Sequence, residues 1–342
     1  MAEREPHETA LALVSEGKGI LAADEDADTI GRRFEAIGVA CTTESRRAYR
    51  ELLLATPDLE RYISGVILCD ETIRQQALDG TPFPELLRAK GIIPGITVDK
   101  GPRPLALSSG ETVTEGLDGL RERLAEYRRL GARFAKWRAP FTLTKTLPSE
   151  ACVSANAHAL ARYAALAQEA ALVPIVEPDV LMDGAQPIER SYEATGLVLD
   201  ALYTALTDQR VELEATLLKP NMVLSGYHAS PRAGIEEVAE WTLRCLRERV
   251  PVAVPGIVFL SGGQPDLDAT AHLNAMNARG PHPWALSFSY ARALQGPALK
   301  AWAGRAENLE AAQRALQHRA KMNGAARAGA YTPAMEDEAL PV

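Results

Sequence analysis

Four cysteines in 342 residues leave little sulfur chemistry to read. Cys41, Cys69, Cys152 and Cys245 form no C-x-x-C pair. Their spacing offers neither a zinc site nor a disulfide framework, so a reducing compartment is expected. The histidines, His7, His158, His228, His272, His282 and His318, are not paired at metal-ligand spacing. No metal and no cofactor are expected. No apolar run approaches the roughly 18 residues that span a membrane. Residues 1–9 are charged and lack the apolar core of a signal peptide, which makes a cytoplasmic location the expectation. There is no long basic run, and the net charge is -8. Nucleic acid is thereby disfavoured as the main partner, because phosphate-backbone binding needs a basic surface. Small phosphorylated ligands need only a few local cations and stay open. There is no G-x-S-x-G elbow for Ser/His/Asp hydrolysis. There is also no G-x-G-x-x-G turn of the kind that opens a dinucleotide-binding sheet.

Against these absences stands a regular alternation. Hydrophobic residues make up 46% and charged residues 24%, a globular composition. Short apolar runs of strand length recur at residues 19–24, 63–70, 92–99, 132–138, 173–178, 215–220, 256–261 and 284–290. Helical spacing fills many of the gaps, at 116–130, 149–170, 191–207, 235–248 and 266–278. The piece joining the second and third runs is less regular, broken by Pro82, Pro84 and Gly91. Alternating βα units in this number predict an α/β fold, a single-domain (β/α)8 TIM barrel over 1–342. Residues 1–18 read as a lead-in helix. Residues 323–342, rich in Ala and Gly and then acidic, read as a mobile tail.

The ends of the predicted strands are unusually polar. Asp24 ends the first, Asp70 and Glu71 the second, and Asp99 with Lys100 the third. Lys136 and Arg138 end the fourth, Glu177 and Asp179 the fifth, Lys219 the sixth. Ser261 ends the seventh, and Ser289 the eighth, just before Arg292. A lone charge at a strand end is ordinarily solvated or salt-bridged. A whole set pointed into one barrel mouth needs a reason, because desolvating unpaired charges is costly. Residues two apart on a strand share a face, so Lys136 and Arg138 pair up, as do Glu177 and Asp179. Strands four, five and six are neighbours in such a barrel. Lys136, Glu177 and Lys219 should converge.

That set suits carbonyl chemistry. A lysine attacks a carbonyl only as the neutral amine, and burial or a nearby cation favours that form. Lys219 ends an apolar strand with Lys136 expected nearby. Glu177 between the two lysines is suited to moving protons. Asp24 is suited to taking a hydroxyl proton as a carbon–carbon bond breaks. On spacing alone, a Schiff-base lysine and a buried Lys219–Glu177 ion pair both remain open. Ser261-Gly262-Gly263 after strand seven and Arg292 after strand eight read as a phosphate site. Barrels often bind phosphate there, and glycines let backbone N–H groups approach an anion.

The stretches 17–25, 65–68, 98–101, 134–138, 173–178, 217–222, 259–264 and 300–302 together resemble class I fructose-bisphosphate aldolase over nearly the whole chain. That resemblance implies an aldehyde-lyase that reversibly cleaves fructose 1,6-bisphosphate to dihydroxyacetone phosphate and glyceraldehyde 3-phosphate, without metal. It implies that Lys219 is the Schiff-base lysine, Glu177 the acid/base of the imine steps, and Asp24 the residue at the central hydroxyls. Lys136 and Arg138 match the neighbouring cations. Ser261, Gly262 and Arg292 match the 1-phosphate site, beside which Ser289 is a further substrate-binding candidate from its place at the end of strand eight, and Lys100 matches a cation facing the other end of the substrate. It also implies a homo-oligomer, with tetramers common in the family.

There are departures. The family usually carries two hydroxyl residues toward the 6-phosphate where this chain has Asp26 and Thr29. A carboxylate facing a phosphate repels it. Asp26 either turns away or pairs with Arg32 or Arg33, or it marks an acceptor aldehyde that is not a phosphorylated triose. Asp26, Thr29 and Arg33 are thus candidate residues for the distal end. Ala291 stands where glycine is usual, which requires a negative φ there. The chain ends in Val342 where animal members carry a tyrosine, and Tyr331 is not assigned that role. Two further readings stay open: an aldolase of another pathway with a different acceptor, and a non-catalytic sugar-phosphate-binding or scaffolding protein.

Overall fold

The structure, a computed structural model, describes residues 5–337. Eight parallel strands close into a barrel. They are β1 (Gly19–Ala22), β2 (Ile63–Leu68), β3 (Ile93–Thr97), β6 (Phe134–Phe141), β7 (Val173–Val180), β8 (Leu217–Leu218), β9 (Gly256–Phe259) and β10 (Ala285–Tyr290). Two short antiparallel strands, β4 (Pro102–Pro104) and β5 (Thr112–Thr114), form a separate hairpin after β3. The barrel closes where Ile20 of β1 pairs with Ser289 of β10. Beside that seam the Ser287 hydroxyl donates to the carbonyl of Lys18. All eight runs expected from the sequence are barrel strands. They are continuous apolar segments because both faces of a parallel sheet are covered.

The helices are α1 (Glu5–Leu13), α2 (Ala27–Glu35), α3 (Thr43–Leu54), α4 (Asp70–Ile73), α5 (Phe83–Ala89), α6 (Leu120–Arg129), α7 (Glu150–Glu169), α8 (Ile188–Asp208), α9 (Ile235–Arg249), α10 (Asp266–Ala278), α11 (Arg292–Trp302) and α12 (Leu309–Arg327). Capping residues fix several starts. Ser149 accepts from the Cys152 N–H at the head of α7, and Thr42 with Ser45 forms a reciprocal box at the head of α3. No helix among the described residues is long and apolar enough to cross a membrane.

The lower interior of the barrel is filled by Ile20, Ile67, Phe134, Val173, Ile175, Leu217 and Val258. Ala10, Leu13 and Val14 join the same cluster, so α1 plugs that end. Glycines make the room. A Cβ on Gly95 would lie 2.3 Å from the Phe134 ring, and one on Gly65 2.6 Å from Leu13. With the bottom plugged, polar strand ends are left for the other rim.

The expected tail beginning at residue 323 needs correcting. Asn323, Gly324 and Ala326 are buried in the last turns of α12. Asn323 accepts from the Thr270 hydroxyl and donates to the Arg319 carbonyl. The small side chains there allow close packing: a Cβ on Gly324 would lie 2.7 Å from the Gly17 carbonyl oxygen. Beyond α12, Glu336 is gripped by Arg319 at 2.7 Å, by His318 at 2.9 Å and by the Tyr331 hydroxyl at 2.9 Å. Residues 338–342 of that expected tail, and residues 1–4 of the lead-in, lie outside the described residues.

Candidate active site

Parallel register sets the height of each side chain in the barrel. Lys136 of β6 pairs with Thr97 of β3 and Ile175 of β7, and Arg138 pairs with Glu177. Lys219 follows β8, with its N–H still bonded to the Val176 carbonyl at 2.8 Å. Lys136, Glu177 and Lys219 are 6%, 4% and 4% exposed. They meet as the sequence predicts. Lys219 Nζ lies 3.3 Å from Glu177 Oε1, and Lys136 Nζ lies 3.5 Å from Glu177 Oε2. Asp24, just beyond β1, reaches Lys136 Nζ at 2.9 Å.

Charge is shared unevenly between the two lysines. Lys136 also has Asp99 at 3.8 Å, which gives it three carboxylates. Burial opposes its charge, but Asp24, Glu177 and Asp99 outweigh burial and hold its pKa above the usual lysine range. Burial likewise pushes the Asp24 carboxyl up, yet Lys136 and Lys219 together hold it below the usual carboxylate range. Lys136 is therefore the fixed cation of the site. Lys219 has Glu177 alone as its ion-pair partner among the described residues.

Asp99 and Asp179 belong to this site, although strand-end position alone gave them no role. Asp99 accepts from the N–H of Arg138 at 3.1 Å and of Gly101 at 3.1 Å, which stitches β3 to β6 above the lysines. Asp179 takes the Nε and Nη2 of Arg138 at 2.9 and 2.6 Å. Behind Asp24, buried Glu25 binds Arg33, Arg50 at 2.8 Å and the Gln295 amide at 2.9 Å. That network anchors the β1–α2 loop to α2, α3 and α11. Two residues apart on a strand was the available signal for Asp179; nothing in the local pattern marked Arg50 or Gln295.

Two cavities flank the cluster. One, of about 450 Å³, is lined by Arg138, Asp179, Tyr227, Gly262, Gly263 and Arg292. Gly262 and Gly263 have φ of +57° and +94°, the left-handed region that favours glycine. A Cβ on Gly263 would meet the Arg292 guanidinium at 2.8 Å, so loop backbone and cation are adjacent. Ser261 is buried beside them. Ser289 is buried in β10, and its hydroxyl has no hydrogen-bond partner among the described residues. Ala291 has φ of −101°, the negative value that alanine requires.

The other cavity, of about 550 Å³, is lined by Asp24, Asp26, Asp70, Glu71, Asp99 and Lys100, among others. Three of its four arginines are engaged by carboxylates, Arg46 by Glu71, Arg74 by Asp70 and Glu126, and Arg50 by Glu25, while Arg123 donates to the backbone carbonyls of Val98, at 2.8 Å, and Gly116. Asp26 is the N-cap of α2 and accepts from the Thr29 N–H at 2.7 Å. It does not pair with Arg32 or Arg33: Arg33 is held by Glu25, and Arg32 donates to the Thr29 hydroxyl at 3.4 Å. Neither Thr29 nor Arg33 lines this cavity. Among the described residues, no group of three or more His, Cys, Asp or Glu is placed to hold a metal ion.

The arrangement offers a buried lysine beside a buried carboxylate, a second lysine among three carboxylates, and polar cavities on both sides. The chain as a whole is similar to known proteins. The family model described as glycolytic, fructose-bisphosphate aldolase class-I, matches residues 5–340. A probable fructose-bisphosphate aldolase class 1 of Xanthomonas axonopodis pv. citri is 58% identical over 325 residues, 95% of this chain and 97% of that relative. The fructose-bisphosphate aldolase of Dictyostelium discoideum is 51% identical over 327 residues, covering 95% and 92%. Among solved structures, a ternary complex of fructose-bisphosphate aldolase from Plasmodium falciparum with TRAP and a small-molecule inhibitor superposes with a TM-score of 0.96. Its identity is 46%, covering 97% of this chain and 96% of that one.

Proposed function

The chain belongs to the class I fructose-bisphosphate aldolase family, and from that premise we propose that it performs the reversible cleavage of fructose 1,6-bisphosphate through a Schiff base on Lys219. It is an aldehyde-lyase of glycolysis, a family that works on phosphorylated sugars with a Schiff base and without metal. The observation that carries the lysine assignment is the unequal charge sharing: three carboxylates hold Lys136 as the cation and leave Lys219 as the nucleophile.

Lys219 Nζ attacks the C2 carbonyl, and Glu177 gives a proton to the oxygen to form the carbinolamine. Glu177, reprotonated, then helps the hydroxyl depart as water, which leaves the iminium. Asp24 takes the C4 hydroxyl proton as the C3–C4 bond breaks. The bonding pair flows into the iminium, giving the enamine and releasing the aldehyde. Protonation at C3 and hydrolysis then release dihydroxyacetone phosphate. Lys136 stays charged throughout and stabilises oxyanions on C2 and C4. The cavity with Ser261, Gly262, Ser289, Arg292 and Arg138 takes the 1-phosphate end, and Lys100 faces the other. A cytoplasmic location and a homo-oligomeric assembly, a tetramer by the family's habit, belong to the same proposal.

Borohydride trapping with dihydroxyacetone phosphate is the test. A covalent adduct on the wild type, lost in Lys219→Met, is expected. No adduct, or one that survives the substitution, rejects Lys219 and opens the non-catalytic reading.

A second reading concerns the acceptor alone, and Asp26 favours it. Its carboxylate occupies the head of α2, where an anion would otherwise be welcome, and the cavity around it already holds Asp24, Asp70 and Asp99. On this reading fructose 1-phosphate is cleaved as efficiently as the bisphosphate. Asp26→Ser raises the preference for the bisphosphate by about tenfold, the effect of removing one repulsive charge worth ~1.4 kcal/mol. A strong wild-type preference for the bisphosphate, or no response to Asp26→Ser, would sink it.

A further inference from the structure

The 450 Å³ cavity has a wall that the catalytic scheme does not use. Tyr227 stands in the β8–α9 loop, and its hydroxyl donates to the Gly262 carbonyl at 2.5 Å. The loop carrying it is clamped to the loop after β7. Gly226 N–H donates to Gln186 at 2.8 Å, Tyr227 N–H to Met182 at 2.9 Å, and His228 N–H to Gly184 at 2.8 Å. The approach is so close that a Cβ on Gly226 would lie 2.4 Å from the Gly184 carbonyl oxygen. Three successive βα loops are thereby tied together, with the phenol as the link to the third.

That link acts on an element with little of its own rigidity. Gly262 and Gly263 carry no side chains and sit at positive φ. Among the described residues their N–H groups have no hydrogen-bond acceptor. A peptide unit is planar and trans, so the C=O of Gly262 and the N–H of Gly263 point in opposite directions. Holding one fixes the other. The Tyr227 hydroxyl is 3.4 Å from the place a Gly263 Cβ would take, and the Arg292 guanidinium is 2.8 Å from it. Burial raises the Tyr227 pKa by more than Arg292 offsets, so the phenol stays protonated as a donor.

We propose that Tyr227 is a positioning residue for phosphate recognition: by holding the Gly262 carbonyl, it aims the free Gly263 N–H at a phosphate monoester gripped by Arg292. The inference rests on the aldolase reading for the identity of the phosphate-bearing substrate, but not for the existence of the anion cradle. Tyr227 acts through the loop and does not touch the reacting atoms, so its effect falls on KM and not on kcat.

The test is Tyr227→Phe in the full chain, which keeps the ring and removes the donor. Two readouts are taken. Calorimetry gives the Kd of inorganic phosphate, and borohydride trapping is titrated with dihydroxyacetone phosphate and with unphosphorylated dihydroxyacetone. The phosphate Kd and the half-saturating dihydroxyacetone phosphate concentration are expected to rise about fivefold, the size of one net hydrogen bond. The dihydroxyacetone titration is expected to be unchanged. Equal weakening of both ketones marks a general packing role and overturns the proposal, as does no change in either. If Tyr227→Phe does not fold, Tyr227→Trp, which retains an N–H donor and aromatic bulk, must keep phosphate selectivity, and its loss overturns the proposal. If the wild type forms no adduct with either ketone, the aldolase reading fails, and the phosphate Kd alone decides the role of Tyr227.

Discussion

At the scale of single residues, the cluster around Lys136 is a balance of buried charges in which each member depends on the others. Lys136→Met removes the cation and leaves Asp24, Asp99 and Glu177 facing one another. Removing one partner from a buried pair costs about 3–5 kcal/mol, and a urea titration at pH 7 should register that loss. The sign of the pH dependence follows from Asp24. Its folded pKa lies below its unfolded one, so its contribution is complete above roughly pH 4 and is lost as pH falls through the folded value. Wild-type stability should therefore drop steeply below pH 4. Lys136→Met should show a weaker dependence there; an unchanged acid limb would contradict this account of Asp24. Much of the cluster is legible in the sequence, because a whole set of carboxylates and lysines ending apolar strands has no other cause as economical as a site. Asp99 and Asp179 are visible by the same rule, but their partners are not. Which carboxylate meets which cation depends on strand register, and register is set by pairing between segments some 40 residues apart, such as Arg138 with Glu177.

Among elements, α1 is the most informative, because it is short and yet closes one end of the barrel. Leu13 is fully buried, and its methyl group reaches the space that a side chain at Gly65 would fill. Leu13→Ala should cost about 2–5 kcal/mol by the cavity it leaves, read from the shift in a denaturant midpoint. A cost below 1 kcal/mol would mean that α1 rests on the barrel without plugging it. The eight strands and five of the helices between them, α6 to α10, are recoverable from periodicity. The elements not assigned from the sequence are instructive. The β4–β5 hairpin has two prolines in its first three-residue strand, which reads as a breaker, and prolines are tolerated there because the hairpin lies outside the barrel. Helices α2 and α3 carry cap signals at Asp26 and Thr42, but both are amphipathic over short spans interrupted by charge. The end of α12 reads as loose because Ala and Gly are common there; in the fold those residues are small because neighbouring backbone lies against them.

On the scale of the whole molecule, closure is the property that no single element possesses. Eight βα units predict a barrel by count, yet the seam between β1 and β10 has no local signature in the sequence. A chain ending at residue 280 lacks β10, α11 and α12 and leaves β1 and β9 unpaired on one side. It should show no cooperative thermal transition and should be degraded rapidly by protease. A cooperative, resistant fragment would mean that the remaining units form a stable open sheet. The seam also sets a clock. The hydrogen bond from Ser287 to Lys18 spans 269 residues. At about 5–20 residues per second, translation separates its two ends by roughly 13–54 s. For that interval the first strand waits on the ribosome beside an incomplete sheet, with backbone donors and acceptors open to any neighbouring nascent chain. Yield in the cell is then a contest between elongation and association, and crowding chains closer along a message should favour association.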